Sequence, residues 1–139
     1  MISIREITPQ DHPACAAIFE VAWTDAFSES PRTIGVTEFA AETRDELVII
    51  AARGDRLCGF ASIYLPNSFL HHLYVDPAQY RQGIGSVLLR EAMKRAPDKL
   101  SLKCQHSNRR ARRFYAAHGF VEGEWGDNSY GPWVLLMAP

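Results

Sequence analysis

The sequence has few cysteines, no long apolar segment and no excess of charge of either sign, and each shortage excludes a class of protein. The three cysteines, Cys15, Cys58 and Cys104, are odd in number and far apart. They fit neither a disulfide framework nor a metal site and are expected to be small buried residues of a reducing cytoplasm. The start, MISIREITPQDHP, has no apolar run of the length that a signal peptide or a membrane-spanning helix requires. A net charge of −1 gives no support to a nucleic-acid or membrane surface.

What the sequence does contain is an ordinary composition over the length of one domain. Of the 139 residues, 47% are hydrophobic and 22% are charged, which predicts a single globular domain over residues 1–139. Periodicity predicts strands at 2–8, 47–52, 57–65, 69–76, 99–104, 120–126 and 130–137, and helices at about 9–24, 36–44, 83–96 and 108–118. This order predicts an α/β protein built on a mixed sheet.

Two glycines stand where an apolar strand leads into an amphipathic helix, in the run YRQGIGSVLLREAMKRA over 80–96. Free backbone N–H groups and the positive end of the helix dipole make such a start a binding site for an anion, and Gly83 and Gly85 keep side chains out of its way. A P-loop would need Lys where Ser86 stands, and a dinucleotide fingerprint would need a small residue where Leu88 stands. If Gly83 and Gly85 are considered without their surroundings, an alternative to an anion site is that one of them forms a turn and the other allows close packing.

The surrounding run, VDPAQYRQGIGSVLL, resembles the acetyl-CoA-binding segment of the GNAT superfamily of acyl-CoA-dependent N-acyltransferases. In that family a strand ending in Val-x-Pro precedes Arg or Gln, two variable residues, Gly, any residue, and Gly or Ala. Val75-Asp76-Pro77 and Gly83-x-Gly85 match this pattern, whereas Tyr80 stands where the family has Gln or Arg. A second segment, SLKCQHSNRRARRFYAAHGF, resembles the family's later strand, its capping Asn and its Phe-Tyr…Gly-Phe helix. The resemblance implies a mixed, mostly antiparallel sheet of about seven strands flanked by about four helices.

The resemblance also implies an N-acetyltransferase that moves an acetyl group from acetyl-CoA to a primary amine of a small molecule or peptide, without a metal. Direct attack in a ternary complex is expected, since no cysteine stands on strand 69–75. The pantetheine arm would lie along that strand, with the Leu73 N–H polarising the thioester carbonyl. The residues that the resemblance assigns to acetyl-CoA are Leu73, Tyr74, Val75, Gln82, Gly83, Ile84, Gly85, Ser86, Asn108 and Tyr115.

Two side chains are candidates for proton transfer. The resemblance implies that Tyr115 protonates the departing thiolate, and helical spacing directs it inward; the alternative is a core tyrosine. His71 lies four residues before Val75, where some family members carry a base, and an imidazole accepts an ammonium proton near neutral pH. A core or substrate-orienting histidine, with water as the base, is the alternative. Strand alternation predicts that His72 faces the opposite way and is packed.

The helix over 108–118 begins with a basic cluster. It contains Arg109, Arg110, Arg112 and Arg113. These cations oppose the helix dipole, so one of them is expected to contact a phosphate of coenzyme A. Asn108 is expected to cap this helix, and a cofactor contact is its second predicted role.

No motif identifies the acceptor amine. In the family the first helices and the last hairpin enclose the acceptor pocket. The resemblance therefore predicts the pocket residues Trp23, Phe27, Tyr64, Phe69, Tyr130 and Trp133. The acidic residues Glu29, Glu38, Glu42 and Asp127 are scattered and are expected to be solvated charges. The expected partners are acetyl-CoA and an amine, with no nucleic acid and no membrane, and a homodimer is left open. The alternative function is a non-catalytic acyl-CoA-binding or sensor module.

Overall fold

The computed structural model describes all of residues 1–139. Its strands are β1 (Ile2–Glu6), β2 (Leu47–Arg53), β3 (Arg56–Tyr64), β4 (Phe69–Val75), β5 (Ser101–Gln105), β6 (Val121–Asn128) and β7 (Gly131–Met137). Its helices are α1 (His12–Ala26), α2 (Val36–Glu42), α3 (Ile84–Arg95) and α4 (Arg109–Ala117). The predicted order of elements and the mixed, mostly antiparallel fold class are therefore confirmed.

The sheet opens between β4 and β5. The strand order is β1-β2-β3-β4-β5-β7-β6, and β4 and β5 are its parallel neighbours, paired only at Phe69 and Ser101. Beyond that pair the two strands diverge, so the second half of β4 has a strand partner on one side only. The strand along which the family resemblance places the pantetheine arm is therefore splayed away from β5.

The two faces of the sheet bury separate cores, because successive strand residues point to opposite faces. On one face, α3 and α4 pack Leu88 and Tyr115 into a cluster with Ala61 of β3. On the other face, α1 and α2 pack Phe19 and Phe39 against Phe60. The three cysteines are buried and unpaired, as predicted. None of the helices is both long enough and apolar enough to cross a membrane.

The strand alternation predicted for β4 is wrong at one position. His71 has no partner on β3, because its neighbours Leu70 and His72 pair with two consecutive residues of that strand. Such an extra residue is a β-bulge, which shifts the face to which the following side chains point. Leu70 consequently lies in the same core as Val75. The rings of His71 and His72 lie side by side, with centroids 3.8 Å apart, rather than on opposite faces.

Candidate functional site

A cleft of about 940 Å³ lies where β4 and β5 diverge. Of the residues predicted to bind acetyl-CoA, it is lined by Leu73, Tyr74, Val75, Gly83, Ile84, Gly85, Ser86, Asn108 and Tyr115. Gln82 does not line the cleft, and its side-chain carbonyl accepts a hydrogen bond from Arg53. Asn108 caps α4 as predicted, with its side chain accepting from Ala111 N–H.

The backbone of β4 supplies hydrogen-bond donors to this cleft. Asp76 N–H donates to Cys58 O of β3 at 2.8 Å. Hydrogen-bonded pairs alternate along an antiparallel ladder, so Tyr74 also bonds to β3, while the N–H groups of Leu73 and Val75 point away from it. They point toward the side from which β5 has diverged, and they meet no other strand there. The Leu73 N–H therefore has the orientation that its predicted role requires.

The two glycines at the start of α3 do different things. Gly83 caps the helix in a left-handed conformation with φ 76°, and a Cβ placed on it would meet nothing within 4 Å. A Cβ on Gly85 would lie 3.4 Å from the Phe114 ring, so Gly85 lets α3 and α4 approach each other. The first α-helical bond runs from Val87 N–H to Gly83 O at 3.1 Å. The N–H groups of residues 84–86 therefore have no helical acceptor and suit an anion.

Tyr80, the departure from the family pattern, ties three elements together at the mouth of the cleft. Its hydroxyl donates to Asp25 Oδ2 at the end of α1, at 3.2 Å. Arg110 of α4 donates to the same oxygen at 3.2 Å and stacks over the Tyr80 ring at 4.8 Å. Among the four arginines at the start of α4, Arg110 alone lines the cleft; Arg112 instead pairs with Glu122.

Tyr115 lines the cleft and is only 7% exposed. Burial raises the pKa of its phenol well above the usual range, so the hydroxyl stays protonated. No protein group hydrogen-bonds this hydroxyl, which opens into the cleft. The hydroxyl is therefore available to a ligand in the cleft.

The histidine pair has two different environments. His71 Nδ1 lies 2.7 Å from Glu46 Oε2, and this carboxylate raises the pKa of His71 above its usual value. His72 is 6% exposed, and its Nδ1 lies 2.7 Å from Ser62 Oγ. Burial lowers the pKa of His72, so His72 is the neutral member of the pair and a packed residue, as predicted.

Glu42, from the last turn of α2, faces both histidines. Its Oε2 lies 3.9 Å from His71 Nε2 and 3.6 Å from His72 Nε2. His72 and Arg32 lower the pKa of this carboxyl to about 2, so it is charged at neutral pH. The sequence prediction of a solvated charge is wrong for Glu42, which lines the cleft.

One ligand atom from each of Glu42, His71 and His72 lies within 4.8 Å of the others, so a metal centre is the first arrangement to test. Tetrahedral zinc with bonds of roughly 2.0–2.1 Å places its ligand atoms roughly 3.3 Å apart. The distances from Glu42 Oε2, 3.6 and 3.9 Å, are both longer. The three side chains therefore do not form a closed zinc site.

Three of the six predicted pocket aromatics line the cleft. They are Trp23, Phe27 and Tyr130, with ring centroids 4.6 Å apart for the Trp23–Phe27 pair and 4.9 Å apart for Trp23–Tyr130. Arg32 and Phe19, which sequence reasoning missed, complete this wall.

The prediction is corrected for the other three aromatics, which lie outside the cleft. Tyr64 and Phe69 pair with each other across β3 and β4, at the end where β5 still closes the sheet. Trp133 packs over Gly126 instead, where an added Cβ would come within 2.0 Å of its ring, and Lys103 Nζ lies 4.4 Å from the ring centroid.

Comparison with known proteins agrees with this geometry. Residues 10–120 match the family model described as Acetyltransferase (GNAT) family. The chain belongs to this family. The GNAT cleft between the diverging strands is thus the part of the molecule in which a function should be sought.

A curated relative of this GNAT-family chain is the peptidyl-lysine N-acetyltransferase YiaC of Escherichia coli K12. The two are 36% identical over 86 residues, which is 60% of this chain and 58% of that protein; the chain thus matches less than two thirds of the relative's length. Two solved structures share the fold. A GCN5-related N-acetyltransferase from Rhodopseudomonas palustris has a TM-score of 0.80 at 21% identity, covering 98% of this chain and 94% of that one. PaiA N-acetyltransferase from Thermoplasma acidophilum, in complex with coenzyme A, has a TM-score of 0.80 at 18% identity, covering 100% and 99%.

Proposed function

We propose that this protein is an acetyl-CoA-dependent N-acetyltransferase that acetylates a primary amine of a small molecule or peptide. The observation that carries the proposal is a single cleft that joins the free N–H groups of β4 and α3 to Tyr115 and His71. The family membership supports acetyl transfer, the coenzyme A complex of PaiA supports the cofactor, and YiaC is a relative named for an amine acceptor in peptides.

The chain offers two sets of donors to acetyl-CoA. The backbone N–H groups of residues 82–86 would hold the pyrophosphate at the start of α3, and Arg110 would pair with a phosphate at the mouth of the cleft. The pantetheine arm would run along β4 as an added strand, which brings its thioester to Leu73 and Tyr115. Bound there, acetyl-CoA supplies an activated acyl group.

Three groups of the protein then serve the transfer. His71 Nε2 accepts a proton from the acceptor ammonium, since Glu46 holds the other ring nitrogen. The Leu73 N–H stabilises the charge that develops on the carbonyl oxygen when the amine nitrogen bonds to the carbonyl carbon. Tyr115 donates its proton to the sulfur as the carbon–sulfur bond breaks, and the second proton that the amine nitrogen loses as the amide forms restores the Tyr115 phenol. The products are an amide and free coenzyme A, and no step needs a metal ion.

Release of free thiol from acetyl-CoA, measured against a panel of amines, tests the proposal. An acetyltransferase releases thiol at a rate that depends on the amine. Binding of acetyl-CoA without amine-dependent thiol release would overturn the proposal and identify a non-catalytic acyl-CoA-binding module.

A further inference from the structure

One carboxylate, that of Glu42, lines the cleft beside the histidine pair. Glu38, Glu42 and Glu46 recur at intervals of four residues, from α2 to the residue before β2. Arg32 binds the first two, at 2.9 Å each, and its guanidinium is thereby occupied. Arg32 contacts Glu42 through Oε1, so Glu42 Oε2 remains beside the two histidine rings, and burial holds His72 neutral.

Two carboxylate oxygens in this group lack a close partner. Glu42 Oε2 faces the two histidine Nε2 atoms at 3.6 and 3.9 Å, which is beyond hydrogen-bonding distance. Glu46, whose side chain is 8% exposed, keeps its Oε1 buried with no partner at all. Glu42 lines the cleft, so its Oε2 is accessible to a cationic ligand beside the histidine pair, and the buried Glu46 carboxylate adds negative charge next to His71.

Aromatic side chains continue the site beyond Glu42. Arg32 lies over the ring of Trp23 at 4.7 Å and over that of Phe19 at 5.2 Å, and Phe27 and Tyr130 pack against Trp23. The remaining apolar surface of these rings suits the methylene chain of an alkylammonium.

Building on the proposed function, we propose that Glu42 binds the ammonium group of the acceptor and selects aliphatic amines that carry no carboxylate next to the reacting nitrogen. A lysine side chain in a peptide and a diamine belong to this class. A free α-amino acid does not, because its carboxylate would be brought against Glu42 and Glu46 while Arg32 is already occupied. The ammonium, held between Glu42 Oε2 and His71 Nε2, gives its proton to the imidazole, and the neutral amine then attacks.

The test compares Glu42→Gln with Glu38→Gln, which removes the same charge and a contact to the same Arg32 from a position outside the cleft. Three acceptors are used: cadaverine, glycine and aniline, which is uncharged at neutral pH. Glu42→Gln is expected to raise the KM for cadaverine about ten- to a hundredfold, as for loss of a hydrogen bond to a charged group. It is expected to leave acetyl-CoA affinity and the KM for aniline unchanged. Glu38→Gln should change the cadaverine KM less than about threefold.

An unchanged cadaverine KM in Glu42→Gln, or glycine as a better substrate than cadaverine for the wild-type protein, would overturn the inference while leaving acetyl transfer intact. Calorimetric titration of cadaverine into the protein–coenzyme A complex gives a readout that does not depend on turnover. Loss of cadaverine binding in Glu42→Gln but not in Glu38→Gln supports the ammonium site, whether or not any acceptor is acetylated. If no acceptor is acetylated, only the proposed function is overturned. Equal binding by both variants overturns the site.

Discussion

His71 Nδ1 and Glu46 Oε2 lie 2.7 Å apart, and this contact determines which nitrogen of the imidazole faces the cleft. A carboxylate accepts a hydrogen bond from Nδ1–H, so the neutral ring carries its lone pair on Nε2. The same contact raises the pKa of His71, since Glu46 stabilises the charged ring. His71 is therefore expected to be a stronger base than a free histidine and to become neutral only at a higher pH.

The first prediction is the pH dependence of kcat/KM. Since catalysis needs neutral His71, activity should rise with pH through a pKa above 6.5. The charged groups around His71 are Glu42 on α2 and Glu46 before β2, with His72 beside it on β4. Glu46→Gln removes the largest cause of the raised pKa, so the acid limb of the profile should move to lower pH with the same acceptor.

Asp45→Asn is the matched control, because it removes the same charge from the neighbouring residue and Asn tolerates the left-handed backbone found there. Its acid limb should match that of the wild type. If the Glu46→Gln profile also coincides with the wild-type profile, the ionisation that limits activity does not belong to His71.

The second prediction separates the two histidines. His71→Ala should lower the rate at neutral pH and recover partly as pH rises, when more of the amine is free without help. His72→Ala should instead lower the free energy of unfolding, by about 1–3 kcal/mol, because His72 is buried against Phe19 and its loss leaves Ser62 without its partner. Thermal unfolding and pH–rate profiles of both variants check this. Equal effects of the two substitutions on both measurements would contradict the separate roles.

The third prediction concerns the backbone donors at the start of α3. Gly83→Val should weaken acetyl-CoA binding more than tenfold, about 1.4 kcal/mol, because a β-branched residue resists a positive φ and projects into the open cleft. Gly54→Val is the matched control. Gly54 has φ 58° and equally open surroundings in the turn between β2 and β3, outside the cleft. The two variants should lose similar stability, and only Gly83→Val should lose affinity in a calorimetric titration. Wild-type affinity in a folded Gly83→Val protein would place the phosphates elsewhere.

Much of this arrangement follows from the sequence, and the exceptions have a physical cause. Periodicity and turn residues are local signals, so they predict every strand and helix to within a few residues, and glycine spacing predicts the anion site. The bulge at His71 has no local signature, because it arises from how β4 pairs with β3 and involves no glycine or proline. Because of this one extra residue, the rings of His71 and His72 lie side by side, whereas strand alternation predicted them on opposite faces of the sheet.

The convergence of charges on the acceptor end was likewise not predictable from composition. Glu42 and Glu46 are spaced by one helical turn, which was the available signal, but only the docking of α2 beside β4 brings them to the histidines. The aromatic residues show the reverse error. Tyr64, Phe69 and Trp133 are aromatic residues of the type expected in a pocket, but β4 diverges from β5 only beyond Tyr64 and Phe69, and the Trp133 ring packs over Gly126 instead.

The fourth prediction tests Tyr115 as the proton donor. Tyr115→Phe should reduce turnover about ten- to a thousandfold, since a thiolate with a conjugate pKa of about 8.5 needs only moderate help to leave. Acetyl-CoA affinity should stay nearly constant, because only a hydroxyl without a protein partner is lost. Tyr64→Phe, on a tyrosine outside the cleft, should change neither quantity. Full turnover by a stable Tyr115→Phe protein would remove this residue from the mechanism and make water the donor.

If one cleft joins acetyl-CoA to an amine, each acetyl transfer yields one amide and one free coenzyme A, and product stoichiometry measures this ratio. With cadaverine as acceptor, free coenzyme A is measured by thiol titration and acetylated cadaverine by mass spectrometry in the same reaction. The wild-type protein should form the two products in equal amounts, and Gly83→Val should form much less of both at acetyl-CoA concentrations that saturate the wild type. Thiol released without acetylated amine, or no product from a protein that binds acetyl-CoA, would contradict it.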